Sequence, residues 1–135
     1  MRMEQDLKLL GWKARSVPGL MTFIGPLWTR QENDSWGYGL LLEEHHCNPA
    51  GVIHGGIFTT LADHALSTLA WETAGRHPCI TIQLGTHFLM PVQPGDFLEA
   101  RGCVVQQGRS LLFMEGRLSV EGRDVALASG VWKQV

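Results

Sequence analysis

The stretch Asn48-Pro-Ala-Gly-Val-Ile-His54-Gly55-Gly56, followed by Asp63, holds the residues whose types and spacing point to chemistry. Two glycines where a loop enters a helix leave backbone N–H groups open to close approach by a ligand. The helix dipole adds partial positive charge at the same place. Such a site can polarise a carbonyl and stabilise an oxyanion. Asp63 falls eight residues after Gly55, a little over two helical turns in. Across a subunit interface, a carboxylate at that depth can face an acyl carbon polarised at another helix's N-terminus.

Each residue also has a plainer reading. Gly55-Gly56 can be a tight loop-to-helix junction, His54 a hydrogen-bond partner of a loop carbonyl, and Asn48 before Pro49 a turn initiator. Thr59 and Thr60 can bond back to helix carbonyls. Asp63 is the hardest to read this way. Among Leu61, Ala62 and Ala65, a buried unpaired carboxylate costs about 2 kcal/mol or more. His45, His46, Cys47, His54 and His64 are five ligand types within twenty residues. Adjacent histidines on a strand point to opposite faces, however, and the spacing matches no zinc pattern, so no metal is expected.

These residues must be positioned by the surrounding elements. A helix is predicted over 55–74, with Phe58, Leu61, Ala62, Ala65, Leu66 and Leu69 on its apolar face and Gly75 at its C-terminal cap. Thr59, Thr60, Asp63 and Ser67 form a narrow polar stripe on it. A short amphipathic helix is predicted over 3–13. Six strands are predicted, at 20–30, 36–44, 79–89, 96–106, 110–120 and 124–134, the last three as an antiparallel meander. Gly37 and Gly39 weaken the regularity of the second. One long apolar helix and about six strands imply an α+β domain over 1–135, with a curved antiparallel sheet wrapped on the helix. The polar stripe and the sheet edges still need a cover, and a second subunit is the simplest one.

Composition narrows the function classes. With 135 residues, 44% hydrophobic and 18% charged, the chain supports one core. A net charge of −2 gives no basic bulk for nucleic acid. No run approaches the ~20 apolar residues of a membrane-spanning helix. The charged first sixteen residues contain no apolar signal-like stretch. The three scattered cysteines read as buried or partly buried free thiols, so a cytoplasmic location is expected.

The segments NPAGVIHGGIFTTLAD and TIQLGTHFLMPVQPGDFLEARGCV, with the apolar helix between them, resemble the hotdog-fold thioesterases of the phenylacetate-degradation (PaaI-like) type. The resemblance covers roughly residues 35–133. It rests on His-Gly-Gly followed by an Asp nine residues after the His. It implies acyl-CoA hydrolysis at a dimer interface without a cofactor, in a homo-oligomer that is at least a dimer and commonly a tetramer. It implies that the Gly55 N–H polarises the thioester carbonyl and that Asp63 of the opposite subunit is general base or nucleophile. His54 and Asn48 would hold the carbonyl or thiolate end and the loop geometry, and Thr81 would help position water. Gln107, Gly108, Arg109 and Ser110 would contact the nucleotide part of CoA, with Phe88, Leu89 and Met90 along the pantetheine arm. His64, beside the carboxylate, departs from the usual small or polar residue and puts the acyl group in doubt. Phe58, Trp71, Met90 and Trp132 are pocket candidates as well as ordinary core residues, while Trp12, Trp28 and Trp36 would close the pocket or bury an interface. Two other readings stay open: an enoyl-CoA hydratase on the same scaffold, and a non-catalytic acyl-CoA-binding domain.

Overall fold

The computed structural model describes residues 4–135. Seven antiparallel strands form one sheet in the order β1-β2-β3-β5-β6-β7-β4: β1 Lys13–Arg15, β2 Leu27–Glu32, β3 Ser35–Leu41, β4 Cys79–Phe88, β5 Phe97–Gln107, β6 Leu111–Val120 and β7 Arg123–Gln134. The sheet curves round one long helix, α3 (Gly55–Thr73), with two short helices, α1 (Glu4–Leu9) and α2 (Met21–Ile24), near the start of the chain. This is the hotdog arrangement expected from the sequence. No helix among the described residues is long and apolar enough to cross a membrane.

Three boundaries differ from expectation. The first helix is six residues long; the predicted span began at residue 3, outside the described residues. The stretch 20–30 is one helical turn followed by a strand from Leu27. The seventh strand is β1, three exposed residues with no alternation to reveal it. It exists because it pairs with β2.

Apolar spacing fixes how α3 lies on the sheet. Ile57, Phe58, Leu61, Ala62, Ala65, Leu66 and Ala70 are buried, the three-and-four periodicity of a single helical face. Opposite it, β6 buries Leu112, Met114, Gly116 and Leu118 and exposes the residues between. Gly102 and Gly116 let the helix come close, since a Cβ on Gly102 would stand 2.3 Å from Leu66 Cδ2. The helix ends at Ala74, and Gly75 follows with φ +72°, the left-handed residue expected after a helix C-terminus.

The other face of the sheet carries a second, smaller core. Leu7, Trp12, Trp28 and Phe97 pack together under α1. Trp12 and Trp28 are therefore buried core residues within one chain, whereas Trp36 is exposed. Strand β3 stays regular through Gly37 and Gly39, and Gly39 has a steric reason. A Cβ there would lie 2.2 Å from the Phe97 ring.

The sheet has two edges, the three-residue β1 and the ten-residue β4, which among the described residues pairs only with β7. Strand β4 exposes Ile80 and Ile82, each about half accessible. The register shifts between Thr81 and Gln83. This bulge brings the Gln83 carbonyl to within 2.2 Å of where a Gly130 side chain would begin. Bulges re-aim neighbouring side chains, and here the neighbour is Thr81.

Candidate active site

The loop before α3 is stapled by Asn48. Its Oδ1 accepts from the Ala50 N–H at 2.9 Å and the Val52 N–H at 3.2 Å, and Gly51 turns the chain at φ +84°. Asn48 thus performs the turn role expected of an Asn before Pro, and its side-chain oxygen is committed to the loop. His54 follows as the N-cap of α3. Its Nδ1 accepts from the Gly56 N–H at 2.7 Å, which places the ring proton on Nε2. The expectation that His54 bonds a loop carbonyl is corrected: the imidazole is a helix cap.

With Gly56 satisfied by His54, the N–H of Gly55 has no hydrogen-bond partner among the described residues. It sits at the positive end of α3, beside an apolar groove of about 290 Å³ lined by Val52, Ile53, Gly55, Phe58, Phe88, Leu89, Met90 and Pro91. Phe88 packs edge-on to Phe58, 5.4 Å between centroids. Its ring comes within 3.1 Å of the position a Gly55 Cβ would take.

Asp63 is held against β4. Its Oδ1 accepts from Thr81 Oγ at 2.7 Å and more weakly from Ser67 Oγ at 3.4 Å. The Ser67 hydroxyl accepts from the indole N–H of Trp132 at 2.9 Å. The rest of the polar stripe is divided. Thr59 bonds Thr86 on β4 at 3.0 Å, while Thr60 bonds back to the Gly56 carbonyl, as Thr in a helix often does. His64, one residue on from Asp63, points elsewhere, 6.2 Å from the Tyr38 ring. Burial pushes its imidazole below the ordinary value, the nearby Asp63 charge opposing this less strongly.

The turn Gln107–Ser110 lies at the same end of the sheet. The register runs Thr81, Trp132, Leu112, Gln107 across four neighbouring strands. At ~4.8 Å per strand, Gln107 is about 14 Å from Thr81. The Gly108 N–H closes the turn on the Leu111 carbonyl at 2.8 Å. The Arg109 guanidinium is exposed and in no ion pair among the described residues.

The structure therefore brings Asp63 and Thr81 into contact and places His54 and Gly55 together at the helix mouth. Two residues escaped the sequence reading. Ser67 was visible only as part of a stripe. Trp132, taken as a pocket candidate, is wholly buried and acts as a donor behind Ser67. Phe58 and Met90 do line the groove, while Trp71 lies outside it and is exposed. The histidine-rich stretch is dispersed. His46 is buried, with Nδ1 accepting from the Glu43 N–H and Nε2 donating to the Ile24 carbonyl. Among the cysteines, Cys47 and Cys79 are partly buried as expected, while Cys103 is exposed, a correction to the expectation that all three are buried or partly buried. It points outward on β5 because its neighbour Gly102 faces the helix.

A hotdog domain with an open amide at the N-terminus of its central helix and a hydroxyl-held carboxylate on the same helix has groups that can polarise a carbonyl and stabilise an oxyanion. The family model described as Thioesterase superfamily matches residues 50–127, more than half the chain. The chain is 36% identical over 120 residues to the candidate esterase PA0474 of Pseudomonas aeruginosa, covering 87% of this chain and 89% of that one. Human acyl-coenzyme A thioesterase 13 is 29% identical over 90 residues, 66% of this chain and 64% of the human one. Among solved structures, BH2602 of Bacillus halodurans, determined with CoA, aligns with TM-score 0.67 at 27% identity, over 73% of this chain and 66% of that one. A phenylacetic acid degradation-related protein of Ralstonia eutropha aligns with TM-score 0.68 at 25% identity, over 98% and 92%. The chain belongs to the thioesterase superfamily and is a thioester hydrolase of the PaaI-like type.

Proposed function

We propose that this enzyme hydrolyses an acyl-CoA to the free acid and CoA at a site shared by two copies of the chain. The observation that carries the reading is the separation of two chemically prepared groups on one helix. The unpartnered Gly55 N–H and the Asp63 carboxylate are eight residues apart. At 1.5 Å per residue that is ~12 Å, too far for both to touch one carbonyl. Two copies related by a two-fold axis bring the Gly55 of one to the Asp63 of the other. The unpaired β4 edge with its exposed Ile80 and Ile82 supports such pairing.

In this reading the Gly55 amide and the dipole of α3 bind the thioester oxygen as negative charge develops on it. Asp63 either activates a water or attacks the carbonyl directly. His54 Nε2–H lies at the helix mouth as a further donor toward the leaving thiolate. Thr81 holds the carboxylate. The groove along Phe88, Leu89 and Met90 takes apolar substrate atoms, and Arg109 pairs with a CoA phosphate. Acyl-CoA as substrate class is supported by the likeness to human acyl-coenzyme A thioesterase 13 and to the CoA-bound Bacillus halodurans structure.

The test is turnover of a panel of aryl-acetyl, benzoyl, short-chain and medium-chain acyl-CoAs. Loss of thioester absorbance is the appropriate readout, because exposed Cys103 would consume a thiol reagent. Asp63→Ala is expected to lose at least about 100-fold in kcat. Mixed oligomers of Asp63→Ala with Gly55→Pro should regain activity, since one of their two sites then holds both wild-type groups. Wild-type turnover by Asp63→Ala would end the catalytic assignment, and mixtures without activity would end the shared site.

A further inference from the structure

Behind the carboxylate lies a hydrogen-bond chain with a fixed direction. At one end is the indole of Trp132, wholly buried, which can only donate. At the other is the carboxylate of Asp63, which when ionised can only accept. Ser67 stands between them. Because the Trp132 N–H takes a lone pair of Ser67 Oγ at 2.9 Å, the Ser67 proton must point away from the indole. It faces Asp63 Oδ1 and Thr81 Oγ, each at 3.4 Å. The Thr81 proton is already given to Asp63 Oδ1 at 2.7 Å, so Thr81 can accept from Ser67. By either branch the chain runs from Trp132 through Ser67 to one oxygen.

That oxygen is Oδ1 in both cases. Oδ2 has no hydrogen-bond partner among the described residues. No buried side-chain oxygen or nitrogen among them lacks a partner, so Oδ2 is accessible to solvent. The two oxygens of one carboxylate are thereby made unequal. One is tied down by two hydroxyls, and the other is left with its lone pairs directed outward.

We infer that Ser67 and Trp132 are positioning residues that orient the Asp63 carboxylate and make Oδ2 its reacting oxygen. The inference rests on Asp63 acting in the hydrolysis. The role differs from packing because the Trp132 donor fixes which way the Ser67 hydroxyl turns. Without that donor the hydroxyl is free to rotate and to accept from elsewhere. Without the hydroxyl, Thr81 alone holds the carboxylate, and its rotation about the Cβ–Cγ bond is less restricted.

The experiment is a double-mutant cycle with steady-state kinetics on whichever acyl-CoA the wild type turns over fastest. Ser67→Ala should lower kcat about tenfold, the size expected for losing a hydrogen bond to a charged group, with KM within about twofold. Ser67→Thr, which keeps the hydroxyl, should stay within about threefold of wild type. Trp132→Phe should lower kcat in the same manner, and the double variant should be no slower than Ser67→Ala, because both changes break one chain. Thermal unfolding of each variant is measured alongside. If Trp132→Phe does not fold, the contrast between Ser67→Ala and Ser67→Thr decides alone. Wild-type kcat in Ser67→Ala, equal losses in Ser67→Ala and Ser67→Thr, or additive losses in the cycle would overturn the inference. Asp63→Ala separates the two levels. If it is inactive while Ser67→Ala is unimpaired, only the positioning role fails; if it is active, the catalytic reading beneath fails.

Discussion

Glu32 offers a prediction whose size follows from the structure. Its carboxylate receives both arms of Arg101, at 2.6 and 2.7 Å, and two nitrogens of Arg30, at 2.9 and 2.6 Å. Arg101 also reaches Glu99 at 2.9 Å, and Arg30 lies 4.6 Å over the Trp12 ring. The Arg101 hydrogen bonds chiefly, helped by Arg30 and opposed by burial, hold the Glu32 carboxyl at about 2 against an ordinary 4.5. At ~1.36 kcal/mol per pH unit, that gap sets a ceiling of about 3.4 kcal/mol on its stabilisation of the fold. The Arg101 and Arg30 side chains are 37% and 30% exposed, so solvent screening reduces the contribution to roughly half that. Glu32→Gln should therefore unfold about 1.5 kcal/mol more readily at pH 7, some 4–6 °C in Tm for a domain of this size. The sign of the pH effect follows from the depressed value. The stabilisation is complete above pH 4.5 and disappears as pH falls toward about 2. Urea unfolding of wild type and variant at one protein concentration, at pH 7 and then stepwise from 4.5 to 2.5, should show the difference shrinking. A constant difference across that range, or none at pH 7, would refute the reasoning.

Gly55→Pro removes one N–H at the first helical position, where His54 already has the extended backbone that must precede proline, and its ring also presses on Phe88, 3.1 Å from the Cβ position; secondary structure by circular dichroism should be retained while kcat falls at least about 100-fold, the size of a lost oxyanion donor. Gly39→Ala drives a methyl into the Phe97 ring, which is buried and cannot yield; a loss of about 1–3 kcal/mol in urea unfolding is expected, with KM unchanged because the clash lies on the sheet face away from α3.

The sequence reading reached the long helix and the meander because their apolar periodicities extend over ten residues or more. The apolar spacing of α3 and the alternation in β6 each leave one packing solution. It missed β1 because three exposed residues carry no periodic signal and are ordered only by pairing. It took 20–30 as a single strand because Met21 and Ile24 are apolar enough for either state, and only Gly25-Pro26 separates the turn from Leu27. In the site, a carboxylate in an apolar helix was legible from the cost of burying it. Its partners were harder. Thr81 came through resemblance alone, and Trp132 lies sixty-nine residues from Asp63 with nothing in its neighbourhood to single it out. His54 was found as a residue of interest, but its capping geometry is a matter of φ, ψ and ring orientation that spacing does not encode.

The strand carrying Thr81 is joined to the sheet only through β7, the last strand in the chain, although its nearest neighbours in sequence are α3 and β5. The Thr81 hydroxyl therefore depends on a strand that enters the chain more than forty residues later. In a molecule whose residues 123–134 are not in place, β4 has no strand to pair with and Asp63 lacks a securely held Thr81 hydroxyl. Trp132 lies on β7 itself, so both the indole behind Ser67 and the Thr81 hydroxyl depend on that one strand. A half-assembled molecule would thus be compact but chemically unarmed. Competence to act on substrate would report completion of the fold more sharply than burial of Trp12 and its neighbours, a cluster that contains no residue of β7 or β4.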